Sequence, residues 1–218
     1  MQRDGYVLLR QAIAPEWLAG LRSAFDTGVK PADQWPVPRG MDYRHSLLDD
    51  NPSVQAVCRL PQVLAAVEAL IGEVSFLVQV EGREPLPGRG HQRLHRDLSM
   101  RRPGDIANAM AYFHDYGPDN GATRLVPGSH RPQTAAPAFD FDDESAVVQL
   151  SSRVVDILIF DVDLVHAGSL NPSGARRRSI LISYFAASLY EVHLQSMALR
   201  GVRMDTRERF DPANIIWP

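Results

Sequence analysis

Lysine is nearly missing from this 218-residue chain: Lys30 is the only one, and arginine supplies the rest of the 23 basic residues. Arginine's planar fork suits bidentate carboxylate binding, although a codon bias would leave the same excess. Cysteine is equally scarce. Cys58 stands alone, so no internal disulfide can form and a reducing, cytoplasmic compartment is expected. Long apolar runs are absent too, and Asp4 interrupts the start of the chain, so neither a signal peptide nor a membrane span is expected. Neither sign of charge dominates. The 23 basic residues against 26 acidic ones give −3, which argues against a general binder of nucleic acid or of acidic membrane. No repeat, low-complexity tract or linker is visible, so residues 1–218 read as a single domain with a substantial core.

What is present divides at Gly72. Before it lie a short strand at Gly5-Tyr-Val-Leu-Leu9 and two helical patterns. Pro15 opens the first, about 15–27, with Leu18, Leu21 and Phe25 at helical spacing; Pro61 opens the second, about 61–71, and Gly72 ends it. Residues 31–50 between them are expected to be irregular, because Pro31, Pro36, Pro38 and Gly40 break any period. After Gly72 the pattern becomes strand-like. Strands are expected over 74–80, 93–98, 106–114, 123–126, 146–150, 156–160, 164–167 and 177–187, mostly separated by glycine- and proline-rich turns. About eight short strands after two helices predict a mainly β jelly roll with the N-terminal helices packed on one sheet. The tail after Tyr190 is ambiguous, with 192–199 open to a helix.

Chemistry concentrates at His95-Arg96-Asp97. In extended chain, residues i and i+2 point the same way, so His95 and Asp97 present an imidazole and a carboxylate side by side. His166, in Asp161-Val-Asp-Leu-Val-His166, is the best distant partner. Two histidines and one carboxylate on one side of a metal suit Fe(II) and leave the opposite positions open. Two competing motifs fail. His91 and His95 are four apart, as in a helical zinc pair, but Pro85, Pro87, Gly88 and Gly90 argue against a helix there. His-Arg-Asp-Leu at 95–98 matches part of a kinase catalytic loop, but Arg102 stands where that motif needs asparagine.

Asp4-Gly5-Tyr6, His95-x-Asp97, the stretch Asn120-Gly-Ala-Thr-Arg-Leu-Val-Pro-Gly-Ser-His130 and His166 followed by Arg177 occur in an order that resembles the phytanoyl-CoA dioxygenase family. The resemblance runs from about Asp4 to Phe185, and the Asn-Gly to Ser-His stretch is its most specific part. It implies a double-stranded β-helix of the cupin-like kind and an oxygenase using Fe(II), 2-oxoglutarate and O2. It also implies that His95, Asp97 and His166 hold the iron, and that His130 is a turn residue. The expected outcome is oxidation of a small-molecule substrate, most simply hydroxylation, with release of succinate and CO2.

A dicarboxylate cosubstrate needs a fixed cation for its far carboxylate. Arg176, Arg177 and Arg178 sit at the start of the last expected strand, and alternation separates Arg177, Ser179 and Leu181 from Arg176 and Arg178. The family's spacing from the distal histidine selects Arg177, with Ser179 completing an Arg-x-Ser pattern. Gln79, Asn108 and Met110 lie on strands expected to line the same pocket. Substrate recognition is expected from residues 31–50, through Trp35, Tyr43, Arg44 and His45. Two other classes stay open: a metal-assisted hydrolase or isomerase on a similar barrel, and a non-catalytic metal-binding relative.

Overall fold

The chain enters the fold through strand β1 (Tyr6–Leu9) and a 3-10 turn at Pro15–Trp17 that leads into helix α1 (Leu18–Gly28). The computed structural model describes residues 1–131, 139–211 and 213. A two-residue strand β2 (Val29–Lys30) follows, then β3 (Tyr43–Leu47), helix α2 (Pro52–Val57) and helix α3 (Pro61–Ile71). Next come β4 (Ser75–Pro85), β5 (Ile106–Tyr112), β6 (Thr123–Leu125), β7 (Val148–Leu150), β8 (Ile157–Asp161), β9 (His166–Ala167) and β10 (Ser179–Ala186). Helix α4 (Tyr190–Ser196) lies near the end. Gly72 closes α3 in the left-handed region at φ 73°, a conformation glycine adopts without steric cost.

Two antiparallel sheets face each other. The larger runs β1-β8-β5-β10-β4-β3-β2, the smaller β7-β6-β9. Alternation sorts the large sheet's side chains. Ala107, Ala109 and Ala111 of β5, Ile157 and Ile159 of β8, and Ile180, Ile182 and Tyr184 of β10 join Leu21, Phe25, Val63, Val67 and Ile71 of the helices in one core. The alanines lack bulk and let the helices approach closely. The opposite face carries Leu158, Phe160 and Tyr112, which pack with Leu125 and Leu164 against the small sheet. This is the jelly-roll arrangement anticipated from the strand count.

Three expectations need correction. Residues 43–47 are not irregular: β3 pairs with β4, Tyr43 opposite Pro85 and Leu47 opposite Glu81, so long-range pairing overrides a weak local pattern. Residues 93–98 form no full strand, only an isolated bridge between His95 and His166, and Leu98 at φ 65° breaks the extension. Helix α2 was unforeseen, although its start is marked in the sequence. Asn51 caps it by accepting from the backbone N–H groups of Ser53 and Val54, and Pro52 follows at the first helical position.

Candidate metal centre and anion pocket

His95 and His166 are locked together through the backbone, each N–H donating to the other's carbonyl at 3.0 Å. That pairing brings their rings to 4.6 Å between centroids, and the two-residue step places Asp97 beside them. Their ligand atoms and that of Asp97 all lie within 4.8 Å of one another, and among the described residues no other trio of histidine, cysteine or acidic side chains is so gathered. Both histidines use Nδ1 in the same way. His95 Nδ1 lies 2.9 Å from the Arg93 carbonyl and His166 Nδ1 lies 2.9 Å from the Leu164 carbonyl. A carbonyl can only accept, so each Nδ1 carries the hydrogen and each Nε2 keeps its lone pair. Those Nε2 atoms face Asp97, at 3.9 Å from Oδ1 and 3.6 Å from Oδ2. Burial lowers the pKa of His166, against the opposing pull of the Asp97 charge, and so favours the neutral, ligating form. Three such donors fit a divalent first-row metal.

The cavity beside this cluster has a volume of about 100 Å³, and Tyr43, Met110, Arg177 and Ser179 are among its walls. Arg177 is 4 % exposed and no acidic side chain pairs with it among the described residues. Its Nε is buried with no hydrogen-bond partner. What it has instead is the Tyr116 ring, 4.8 Å below the guanidinium carbon, while the Tyr116 hydroxyl donates to the Arg177 carbonyl at 3.1 Å. A buried cation without a counter-charge is costly, and a carboxylate entering the cavity would relieve it. Gly121, at φ 86°, makes room for this arginine: a β-carbon there would stand 2.7 Å from Nη1. Gly168 is similarly constrained, because a β-carbon would meet the Tyr43 hydroxyl at 2.9 Å.

The other expected site residues are placed differently. Asn108 does not reach into the cavity; its Nδ2 donates to Asp97 Oδ2 at 3.1 Å. Gln79 donates to Glu81 at 3.1 Å. Trp35 and His45 are buried away from the cavity, with His45 Nδ1 2.7 Å from Glu81 Oε1 and the two rings edge to face. Burial works against ionising Glu81, but His45, Arg83 and Arg39 outweigh it and hold its pKa at about 2. Arg44 pairs with Glu84 at 3.1 Å. Of the four residues expected to meet substrate, Tyr43 alone lines the cavity, its hydroxyl donating to the Gly90 carbonyl at 2.8 Å. Burial raises its pKa. His91 is exposed outside the cavity, and His130 packs against Gly5, where any side chain would collide with it.

Sequence reasoning missed Tyr116, Arg83, Gln92 and Phe160, which also line the cavity. Alternation along β4 could have found Arg83, which registers opposite Ser179. Nothing local marks Tyr116, which meets Arg177 only through the fold.

Comparison with known proteins gives a consistent result. The family model described as phytanoyl-CoA dioxygenase (PhyH) matches residues 1–179. Dioxygenase cdmA of Talaromyces verruculosus is 35% identical over 107 residues, 44% of this chain and 35% of its own. The Fe(II)/2-oxoglutarate-dependent dioxygenase nvfF of Aspergillus novofumigatus is 33% identical over 102 residues, 43% of this chain and 33% of its own. The chain thus spans about a third of the length of these curated relatives. Among solved structures, AviO1 from Streptomyces viridochromogenes superposes with a TM-score of 0.68 at 23% identity, covering 86% of this chain and 92% of that one. HygX from Streptomyces hygroscopicus, with nickel and 2-oxoglutarate bound, gives 0.69 at 15% identity, over 85% and 84%. At these identities the likeness speaks for the fold, a cupin-like jelly roll.

Proposed function

The chain belongs to the phytanoyl-CoA dioxygenase family, and we propose that it is a single-domain, cytoplasmic iron(II)- and 2-oxoglutarate-dependent dioxygenase that hydroxylates a small molecule. The observation that carries this proposal is the buried, uncompensated guanidinium of Arg177 on the wall of the same cavity as the three metal-ligand candidates. A buried guanidinium beside a metal-ligand trio suits a dicarboxylate that chelates the metal at one end and needs a cation at the other. Iron held here would supply oxygen activation, driven by oxidative decarboxylation of 2-oxoglutarate to succinate and CO2.

The chain's own residues then do four things. His95 and His166 offer Nε2 lone pairs, and Asp97 offers a carboxylate oxygen, on one side of the metal. Arg177, just before β10, takes the far carboxylate of 2-oxoglutarate, and Ser179 at the start of that strand lines the same cavity. The Tyr116 ring fixes the guanidinium from below. Tyr43, Met110 and Phe160 narrow the cavity and limit water around the reacting atoms. The substrate would meet the metal from the side where Asp97 is 42% exposed. No helix among the described residues is long and apolar enough to cross a membrane, and the one cysteine, Cys58, is buried and unpaired.

The test loads the protein anaerobically with Fe(II) and 2-oxoglutarate, admits oxygen in the presence of a metabolite panel, and scores succinate. Iron-dependent succinate, stimulated by a panel member that gains one oxygen atom, is the expected result. Turnover of panel compounds with Zn(II) or Mn(II) and no succinate would replace the proposal with a hydrolase or isomerase.

A further inference from the structure

Asp97 is the least constrained member of the trio. Its side chain is 42% exposed, against 36% for His95 and 12% for His166, and the chain leaves it through Leu98 in the left-handed region. Neither histidine's Nε2 is close enough to hold it, at 3.9 and 3.6 Å. Its one side-chain hydrogen bond among the described residues comes from Asn108, Nδ2 to Oδ2 at 3.1 Å. Asn108 is itself held: the Ser183 hydroxyl donates to its Oδ1 at 2.8 Å. The direction of this chain is dictated by chemistry. An ionised carboxylate only accepts, so the amide must turn its NH2 toward Asp97, and its oxygen is left for a hydroxyl donor.

The relay is written into the sheet's register. Asn108 stands opposite Phe160 on β8 and opposite Ser183 on β10, with all three side chains on the cavity face. A slip of one residue would turn Asn108 into the helix-side core. The ladder between β10 and β4 shifts register immediately after Ser183, a local irregularity of the kind that re-aims side chains beside functional sites.

Resting on the metal-centre reading above, we infer that Asn108, oriented by Ser183, is a positioning residue that fixes Asp97 for one-oxygen metal binding. Oδ2 is taken up by the amide; Oδ1 receives no hydrogen bond among the described residues and remains the free donor. Three protein donors on one side of a metal would leave its remaining positions open, which a chelating 2-oxo acid needs. An Asp97 free to turn both oxygens inward would fill one of them. Asn108 therefore acts on the metal through Asp97, and not as a contact to the cosubstrate.

Anaerobic titration of the metal-free protein with Co(II), in the absence of 2-oxoglutarate, separates these roles. Asn108→Ala should weaken Co(II) binding by about tenfold or more, the usual effect of losing a partner behind a ligand. Ser183→Ala should weaken it by a smaller factor, and Ser183→Thr, which keeps the hydroxyl, should restore it. In an Asp97→Ala background Asn108→Ala should add nothing. Wild-type Co(II) affinity in both Asn108→Ala and Ser183→Ala, or an equal loss with and without Asp97, would overturn the relay. Should Asn108→Ala fail to fold, the Ser183 pair decides alone: equal affinities for Ala and Thr refute it. Failure of the underlying reading looks different, because then the wild type and Asp97→Ala would bind Co(II) alike.

Discussion

Arg177 and Arg178 are neighbours in sequence, yet one serves the cavity face of the large sheet and the other its helix face. Arg178 is saturated. Its Nη atoms donate to Asp26 at 3.0 and 2.5 Å, its Nε donates to Glu84 at 3.2 Å, and its guanidinium lies 4.7 Å over the Phe25 ring of α1. Arg177 is nearly as buried, and has an aromatic ring but no carboxylate. The same contrast holds across the two faces. On the helix side polar groups are closed within the protein, as where the Tyr184 hydroxyl donates to the Cys58 carbonyl at 2.7 Å. On the cavity side the Arg177 guanidinium has no acidic partner among the described residues, and two Nε2 lone pairs face Asp97 at 3.9 and 3.6 Å. Removing one partner of a saturated pair strands a buried charge at a cost in stability, while an unsaturated charge is a standing preference for a ligand.

The comparison breaks most visibly at the metal. His95→Ala, Asp97→Ala and His166→Ala should each lose succinate formation to background while the thermal midpoint moves little, because none of the three belongs to the helix-side core. Wild-type turnover in two of the three would remove the metal assignment. Arg178→Ala should do the reverse. Among the described residues it leaves Glu84, 6% exposed, with only the half-exposed Arg44 as ion-pair partner, a loss of about 3 kcal/mol read as a lower urea midpoint. An unchanged midpoint would show that the helix face does not depend on this pair.

Acid sharpens the same contrast. Burial, with Arg22 and Arg178 nearby, lowers the His114 pKa to about 4; burial, with Arg200 and Arg209, lowers that of His193 to about 4. Arg200 donates to His193 Nδ1 at 2.7 Å, so that nitrogen must stay unprotonated. The unfolded chain takes up these protons near pH 6.5, before the folded one does. The stability these neutral histidines contribute is therefore complete above pH 6.5 and is lost as the pH falls toward 4. Melting curves across that window should show a falling midpoint, and the combined His114→Gln and His193→Gln variant should flatten it. A slope that survives both replacements would assign acid lability elsewhere.

The smallest effect concerns Tyr116. Tyr116→Leu removes the ring beneath Arg177 and should weaken 2-oxoglutarate binding by about fivefold, roughly 1 kcal/mol. Tyr116→Phe, which keeps the ring and loses the hydroxyl with its bond to the Arg177 carbonyl, should weaken it less. Equal losses in the two would show that the hydroxyl, not the ring, orients the arginine.

What could be read from the sequence was what period and short spacing encode. His95-x-Asp97 needs only two residues of extended chain, and alternation put Arg177 and Ser179 on one face without any knowledge of the partner strands. The helix starts at Pro15 and Pro61 and the stop at Gly72 were equally local. Residues whose roles depend on register across strands were not legible. Asn108 looked like a pocket wall because nothing in the sequence says that Asp97 lies within reach of it. Trp35 and His45 looked like recognition residues, yet β3 pairs with β4 and carries His45 to Glu81. Tyr116 and Ser183 carry no local mark at all. The start of α2 was the exception, since Asn51-Pro52 announced it in plain sequence.

The central claim is that the Arg177 charge is left open for the far carboxylate of 2-oxoglutarate, and one calorimetric comparison tests it directly. Wild type and Arg177→Ala, both loaded anaerobically with Fe(II), are titrated with 2-oxoglutarate. The dissociation constant should rise in the variant by at least about thirtyfold, roughly 2 kcal/mol, with iron affinity kept. Equal 2-oxoglutarate affinity in the two proteins would contradict the claim.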